Sequence, residues 1–334
     1  MKIFVTRPIP EVGIKMLKDK GWEVVVNEAA VNRAATNEEL VSGVKGTDAV
    51  LSILTDKITG DVMDAGLPTL KIIANYAVGF DNVDTEVAKQ RNIMVTNTPG
   101  VLTDTVAEHT FSLLLAIAHR ISEADRFSRA GNYKAWGPNL LLGSDVSGKT
   151  LGVVGLGRIG SRVAHHAVNG FGMKVLYTDP KPNPDFEKQY GAQFVEKLED
   201  LLPQCDFVSI HVPLLDPVKS PDGDNGASST RHLINEARLK LMKPGAYLIN
   251  TSRGPIVDEK ALALSLSKGW IKGAAIDVFE FEPDITPELK ELDNIILTPH
   301  IASATEETRN KMAELAAQNI IEALEGRTPP NLIK

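Results

Sequence analysis

Two consecutive α/β domains, each a doubly wound parallel sheet, are the fold class that the sequence predicts, and three features predict it. Length comes first: 334 residues exceed one ordinary core and fall short of three. Next, short β-branched runs alternate with stretches of helical spacing, the pattern of βαβ units. Last, a glycine-rich turn, Gly155-Leu156-Gly157-Arg158-Ile159-Gly160, sits between one such run and a helical stretch.

In the first hundred residues strands are expected at Ile3–Thr6, Glu23–Val26, Val50–Leu54, Lys71–Asn75 and Ile93–Val95. Helical spacing covers Pro10–Lys20 and Asn37–Val44. A long helix is expected over Thr103–Ala124, where Val106, Phe111, Leu114, Leu115 and Ala118 recur at helical intervals, and it would bridge the domains. Six strands come next, at Leu151–Val154, Lys174–Tyr177, Phe207–His211, Ala246–Asn250, Ala274–Val278 and Ile295–Leu297. A final helix, Glu306–Leu324, comes after that sheet is complete and is expected to pack back on the first domain. Leu215–Ser228 holds Pro217, Pro221, Gly223 and Gly226 with three aspartates and no periodicity, and reads as a surface loop.

Composition narrows the function classes. Hydrophobic residues at 43% and charged residues at 24% are ordinary globular values. With 36 basic and 43 acidic side chains the net charge is −7, which argues against nucleic acid or an anionic membrane as the main partner. Cys205 is the lone cysteine, so no intramolecular disulfide forms. Met1–Thr6 reads as a strand and not as a signal peptide, and the expectation is a cytoplasmic protein. The apolar stretch Phe111–Ala118 is well short of the ~20 residues that span a bilayer. His109, His119, His165, His166, His211 and His232 show no metal-ligand spacing, and neither a G-x-S-x-G elbow nor a GxxxxGK loop occurs.

The glycine turn has the context of a dinucleotide site. Gly155 suits a tight turn, Gly157 lets a pyrophosphate approach the backbone, and Gly160 allows close packing of helix on strand. The helix that starts there offers unpaired N–H groups to phosphates, and Arg158 could add an ion pair. Asp179 ends the next strand, 19 residues past Gly160. It would accept bonds from ribose hydroxyls and repel a 2′-phosphate, favouring NADH over NADPH, although Lys181 weakens that preference. The competing reading is a structural glycine turn followed by a solvent-facing or capping Asp.

Three further strand ends carry candidate chemistry. Arg253 follows its strand through Thr251-Ser252, where ligands of open α/β sheets bind, and its planar guanidinium suits a carboxylate. His300 follows another strand through Thr298-Pro299, and Glu282 another again. Removing an alcohol proton during hydride loss suits an imidazole, and a carboxylate on the other ring nitrogen fixes its tautomer. Taken singly, His300 also fits a structural histidine and Glu282 a solvated loop acid. Asp277 fits the nicotinamide end of a cofactor or, equally, a buried loop cap.

With these residues in place, the chain resembles the D-isomer-specific 2-hydroxyacid dehydrogenases over essentially its whole length, and within them the glyoxylate and hydroxypyruvate reductase branch. The matching segments are residues 75–84 (NYAVGFDNVD), 97–101 (NTPGV), the glycine turn, 251–254 (TSRG), 277–280 (DVFE) with Glu282-Pro283, and 298–300 (TPH). The resemblance implies a flavodoxin-like substrate lobe, residues 1–99 plus 300–334, and a Rossmann NAD-binding lobe, residues 100–299, with a cleft between. It implies Arg253 as substrate anchor, His300 as acid–base group and Glu282 as its partner, with the N–H groups of Val78 and Gly79 helping to hold the substrate carboxylate. Thr105, Val212 and Pro213, together with Thr251 and Ser252, fall where the family touches the cofactor. A homodimer through the cofactor domain is implied, with Ala130–Leu142 as the arm that reaches the partner. The segment Leu215–Ser228 is longer than the family's usual connection. A 2-keto or 2-hydroxy acid is the implied substrate; D-lactate, a bulkier D-2-hydroxy acid, and an NAD-sensing corepressor built on the same scaffold stay open as alternatives.

Overall fold

The computed structural model describes residues 1–215 and 229–333; beyond Leu215, the loop read over Leu215–Ser228 lies outside them. The chain divides into two compact units, Met1–Leu102 with Ser303–Lys334, and Thr103–Ala302. His300 therefore belongs to the same unit as the glycine turn, Arg253 and Glu282.

The first unit is built on five parallel strands, β1 (Lys2–Val5), β2 (Glu23–Val26), β3 (Ala49–Ile53), β4 (Ile72–Tyr76) and β5 (Met94–Thr96), in the order β2-β1-β3-β4-β5. This is the flavodoxin-like order. The strands are Val- and Ile-rich and largely buried, as a parallel sheet covered on its faces requires. The last helix, Glu306–Leu324, belongs to this unit. It packs on the helix Glu11–Lys18 so closely that a Cβ on Gly13 would lie 2.7 Å from the Ala313 carbonyl oxygen. Two bonds fix its place on the sheet: Tyr76 Oη donates to the Arg309 carbonyl (2.7 Å) and Asn319 Nδ2 to that of Asn97 (3.2 Å).

The second unit holds seven parallel strands, β6 (Thr150–Val154), β7 (Lys174–Thr178), β8 (Gln193–Phe194), β9 (Phe207–Ile210), β10 (Tyr247–Asn250), β11 (Gly273–Ile276) and β12 (Ile295–Leu297). Their order, β12-β11-β10-β9-β6-β7-β8, is the Rossmann order extended by one strand. Alternate residues serve opposite faces: Leu151, Val153, Phe207, Tyr247 and Ile249 join one core, and Val154, Val208, Ile210 and Leu248 the other. Phe207 and Tyr247 stack across neighbouring strands at 5.1 Å.

Sequence reading expected six strands here; the seventh, β8, has two residues, too few to show a period. The single long helix expected over Thr103–Ala124 is two helices, Thr103–Ala118 and Ile121–Arg129. Two features mark the break. Arg120 adopts the left-handed conformation (φ 55°), and the Ala118 carbonyl accepts the N–H of Ser144, far along the chain, at 2.8 Å. Helix Ile121–Arg129 has no buried residue. No helix among the described residues is long and apolar enough to cross a membrane.

On either side of residues 216–228 the chain is pinned to itself. Thr230 N–H donates to the Leu215 carbonyl (3.0 Å), Leu215 N–H to Thr230 Oγ1 (2.7 Å), and that hydroxyl to the Pro213 carbonyl (2.7 Å).

Candidate active site

Register decides where the singled-out residues of the second unit stand. Thr178, Val154, Ile210, Asn250, Ile276 and Leu297 pair across the sheet in one row. The segments just past these six residues therefore emerge at one edge: Asp179, the glycine turn, Val212-Pro213, Thr251 to Arg253, Asp277 to Glu282, and His300. Six strands at the usual spacing make this row about 24 Å wide. Thr105, on the helix Thr103–Ala118, is the cofactor candidate of this unit that does not come after a strand.

Two glycines of the turn are explained by the protein itself. Gly155 has φ 93°, and a Cβ on Gly160 would lie 2.1 Å from the Gly155 carbonyl oxygen. Gly157 is different. Nothing lies within 4 Å of its Cβ position, so the chain leaves open the approach that a pyrophosphate needs. The helix Arg158–Phe171 starts at this point without a side-chain cap, leaving first-turn N–H groups available to an anion. Asp179 is half-buried and accepts the Leu156 N–H at 2.7 Å, which holds the turn against β7. These features fit a bound dinucleotide.

Asn250, buried at the end of β10, shapes the turn that carries Arg253. Its Oδ1 accepts the Ser252 N–H and its amide donates to the Arg253 carbonyl, both at 3.0 Å. Arg253 is half-buried and donates from Nη1 to the Ser252 carbonyl (2.9 Å). The hydroxyls of Thr251 and Ser252 are engaged with protein, with Thr110 Oγ1 (2.7 Å) and the Val212 carbonyl.

His300 sits in the left-handed region (φ 54°), a conformation that costs a non-glycine residue roughly 1–2 kcal/mol. Asp277 holds it there. The His300 N–H donates to the Asp277 carbonyl at 2.8 Å. The Asp277 carboxylate, fully buried, accepts Thr298 Oγ1 (2.6 Å) and the N–H groups of Ile301 (2.9 Å) and Ala302 (2.8 Å). Burial pushes this carboxyl's pKa up, but His109, whose Nε2 lies 3.5 Å away, and these donors outweigh it and keep it below the ordinary value. The loop-cap reading of Asp277 is thus present in the structure. Glu282 accepts the Phe279 N–H with one oxygen (3.0 Å) and meets His300 Nδ1 with the other (3.0 Å). With Nδ1 engaged, Nε2 is the nitrogen left for a substrate, and side-chain exposures of 26% and 27% leave the pair accessible.

Val78 and Gly79 lie in the first unit. Their carbonyls accept the side-chain amides of Asn97 (2.7 Å) and Asn75 (2.9 Å). Among the described residues their N–H groups donate to nothing, and so stay available to an anion.

His109 gains its role only in the fold, since no spacing rule links a helix residue to Asp277. The role of Asn250 had a visible signal in the sequence: an asparagine closing a strand just before a turn. Among the described residues no cluster of His, Cys, Asp or Glu is placed to hold a metal ion. A cavity of about 250 Å³ in this unit is lined by Arg120, Tyr247, Lys272 and Ile295. Tyr247 and Ile295 begin their strands, so it opens at the sheet edge opposite the glycine turn.

Residues 111–302 match the family model described as D-isomer specific 2-hydroxyacid dehydrogenase, NAD binding domain. A glyoxylate reductase of Thermococcus litoralis is 48% identical, over 99% of this chain and 96% of that one. The chain belongs to the D-isomer-specific 2-hydroxyacid dehydrogenase family. Among solved structures, a protein of Thermus thermophilus superposes with a TM-score of 0.89 at 42% identity, each chain fully covered. An NADPH-dependent glyoxylate/hydroxypyruvate reductase of Sinorhizobium meliloti has a TM-score of 0.81 at 30% identity, covering 99% of this chain and 96% of that one. As a member, this chain is a nicotinamide-dependent oxidoreductase with a Rossmann cofactor domain.

For this dehydrogenase, Asp277→Asn is expected to lose about 1–3 kcal/mol of stability at pH 7, since an amide nitrogen then faces buried donors. A carboxyl whose folded pKa lies below its unfolded value, near 3.9, contributes stability above that value and loses it as pH falls through the folded one. The gap in Tm between wild type and variant should therefore close below about pH 4. A gap that is constant down to pH 3 would argue against a buried, ionised Asp277.

Proposed function

We propose that the protein reduces a small 2-keto acid, glyoxylate or hydroxypyruvate, to the D-2-hydroxy acid with NADH, the same residues serving the reverse oxidation. The Glu282–His300 pair, on the sheet edge that also bears the open glycine turn, is the observation that carries this reading. The activities of these relatives point to the same substrates.

When bound, the nicotinamide supplies the hydride. Arg253 holds the substrate carboxylate through its guanidinium, which orients the keto group. His300 gives a proton from Nε2 to the keto oxygen, and takes it back in the oxidation. Glu282, on Nδ1, keeps the ring in the orientation and tautomer that this transfer needs. For the cofactor, the Gly155–Gly160 turn with Arg158 and Ile159 takes the pyrophosphate, Asp179 the adenosine ribose, and Thr105, Val212, Pro213 and the backbone of Thr251 and Ser252 the remainder. For Asp277 the bracing of the His300 segment comes first, and a bond to the nicotinamide end adds to it. A cytoplasmic setting accords with the single, buried cysteine. Copies pair through the segment 130–142, where Tyr133, Trp136 and Leu142 are more than half exposed, Trp136 at 79%.

The assay is loss of reduced-nicotinamide absorbance with NADH or NADPH, each against glyoxylate, hydroxypyruvate, pyruvate and phenylpyruvate. Rapid turnover of the two small acids with NADH is expected; cofactor binding without turnover of any acid would favour a corepressor-type role. Arg253→Gln should lower kcat/KM about 100-fold or more with NADH affinity intact, and near-normal keto-acid kinetics would remove the carboxylate anchor. Asp179→Ala should cut the preference for NADH over NADPH by about tenfold, whereas an unchanged ratio would mean that Asp179 does not read the ribose. Light scattering should find Trp136→Ser monomeric where the wild type is a dimer; a dimeric variant would place the interface elsewhere.

A further inference from the structure

We propose that Glu259 is a positioning residue for the acid–base pair: it fixes Glu282 against His300 by holding both ends of the turn that carries Glu282. The inference rests on the reading of Glu282 and His300 given above.

Glu259 opens the helix Glu259–Lys268 and is 1% exposed. Among the described residues no cation lies within ion-pair distance of it, so hydrogen bonds alone offset the cost of burying its charge. One carboxylate oxygen accepts the Glu280 N–H at 2.7 Å. The other accepts Thr286 Oγ1 (2.5 Å) and the Thr286 N–H (3.3 Å). Between these anchor points run residues 281–285, with Glu282 in the turn closed by the Asp284 N–H on the Phe281 carbonyl (2.8 Å). Glu280 answers in kind: its carboxylate accepts the Glu259 N–H (3.4 Å) and lies 2.7 Å from His232 Nε2. The same carboxylate of Glu259 thus grips the residue next to Phe279, whose N–H holds Glu282, and the residue where the turn ends.

Loss of this carboxylate would leave the Glu280 and Thr286 donors without an acceptor and so cost stability, and its placement also sets geometry. Glu282 meets His300 at 3.0 Å, and a shift of about 1 Å in a positioned group can slow a reaction about 100-fold. A single rigid acceptor joining Glu280 to Thr286 limits that shift in both directions along the turn.

The experiment is a double-mutant cycle on the full-length enzyme, with Glu259→Gln, Glu282→Gln and the pair, measuring kcat, KM for glyoxylate, NADH affinity and Tm. Glu259→Gln keeps the volume but turns an NH2 toward one set of donors. Expected are a fall in kcat of roughly 10- to 100-fold with KM and NADH affinity within about twofold, and no further fall when it is added to Glu282→Gln. Wild-type kcat in folded Glu259→Gln, or effects of the two changes that multiply, would overturn the proposal while leaving the pair intact. A Glu282→Gln enzyme with wild-type kcat would remove the acid–base reading itself, and the positioning role with it. Should Glu259→Gln not fold, Thr286→Val removes one donor at the far end; the same cycle should then show a smaller fall that also vanishes in the Glu282→Gln background, and wild-type kcat there overturns the proposal.

Discussion

Everything chemical in the second unit depends on one constraint: its strands run the same way and end together. Parallel pairing sets Thr178, Val154, Ile210, Asn250, Ile276 and Leu297 in one row, so each connection leaves the sheet at the same edge. The strand order reverses between β6 and β9. The connections after those two strands must diverge to opposite faces, which opens the crevice where ligands of such sheets settle. A glycine without a neighbour at its Cβ position is found at that reversal. Strand pairing thus assembles, without any long-range design of side chains, a row of polar residues drawn from over a hundred positions of sequence.

Connections are the mobile part of most folds, and here buried carboxylates replace sheet bonding once the strands stop. Asp277 takes up backbone N–H groups on the far side of His300 and keeps that residue in a backbone conformation it would not choose. Glu259 likewise accepts main-chain N–H groups on either side of Glu282. In each case a carboxylate acts as an acceptor for main chain with no strand left to pair with. The two acids hold the two members of one hydrogen-bonded pair, so the 3.0 Å contact is set from both sides.

How much of this was legible in the sequence depends on what each feature is made of. The strands and the helix Glu306–Leu324 were readable because their buried faces repeat along consecutive residues. The two-residue strand Gln193–Phe194 has no room for a period. The end of the helix at Ala118 was hidden because its cause, the Ser144 N–H, lies 26 residues on. Arg253, Glu282 and His300 could be singled out because each comes after a strand and carries a chemistry suited to that place. Glu259 and His109 carry no such mark: one reads as a helix's first acid, the other as an ordinary helical histidine. Only packing shows what they face.

The closure between Leu215 and Thr230 has a consequence for how this lineage can change. Joining the two ends of a long excursion costs entropy that rises only slowly with its length, and here the joint is already made by hydrogen bonds among Pro213, Leu215 and Thr230. The ends of the neighbouring strand and turn are therefore held by bonds that lie outside residues 216–228. A joint closed in this way makes the point a natural port for grafted sequence, in evolution or at the bench.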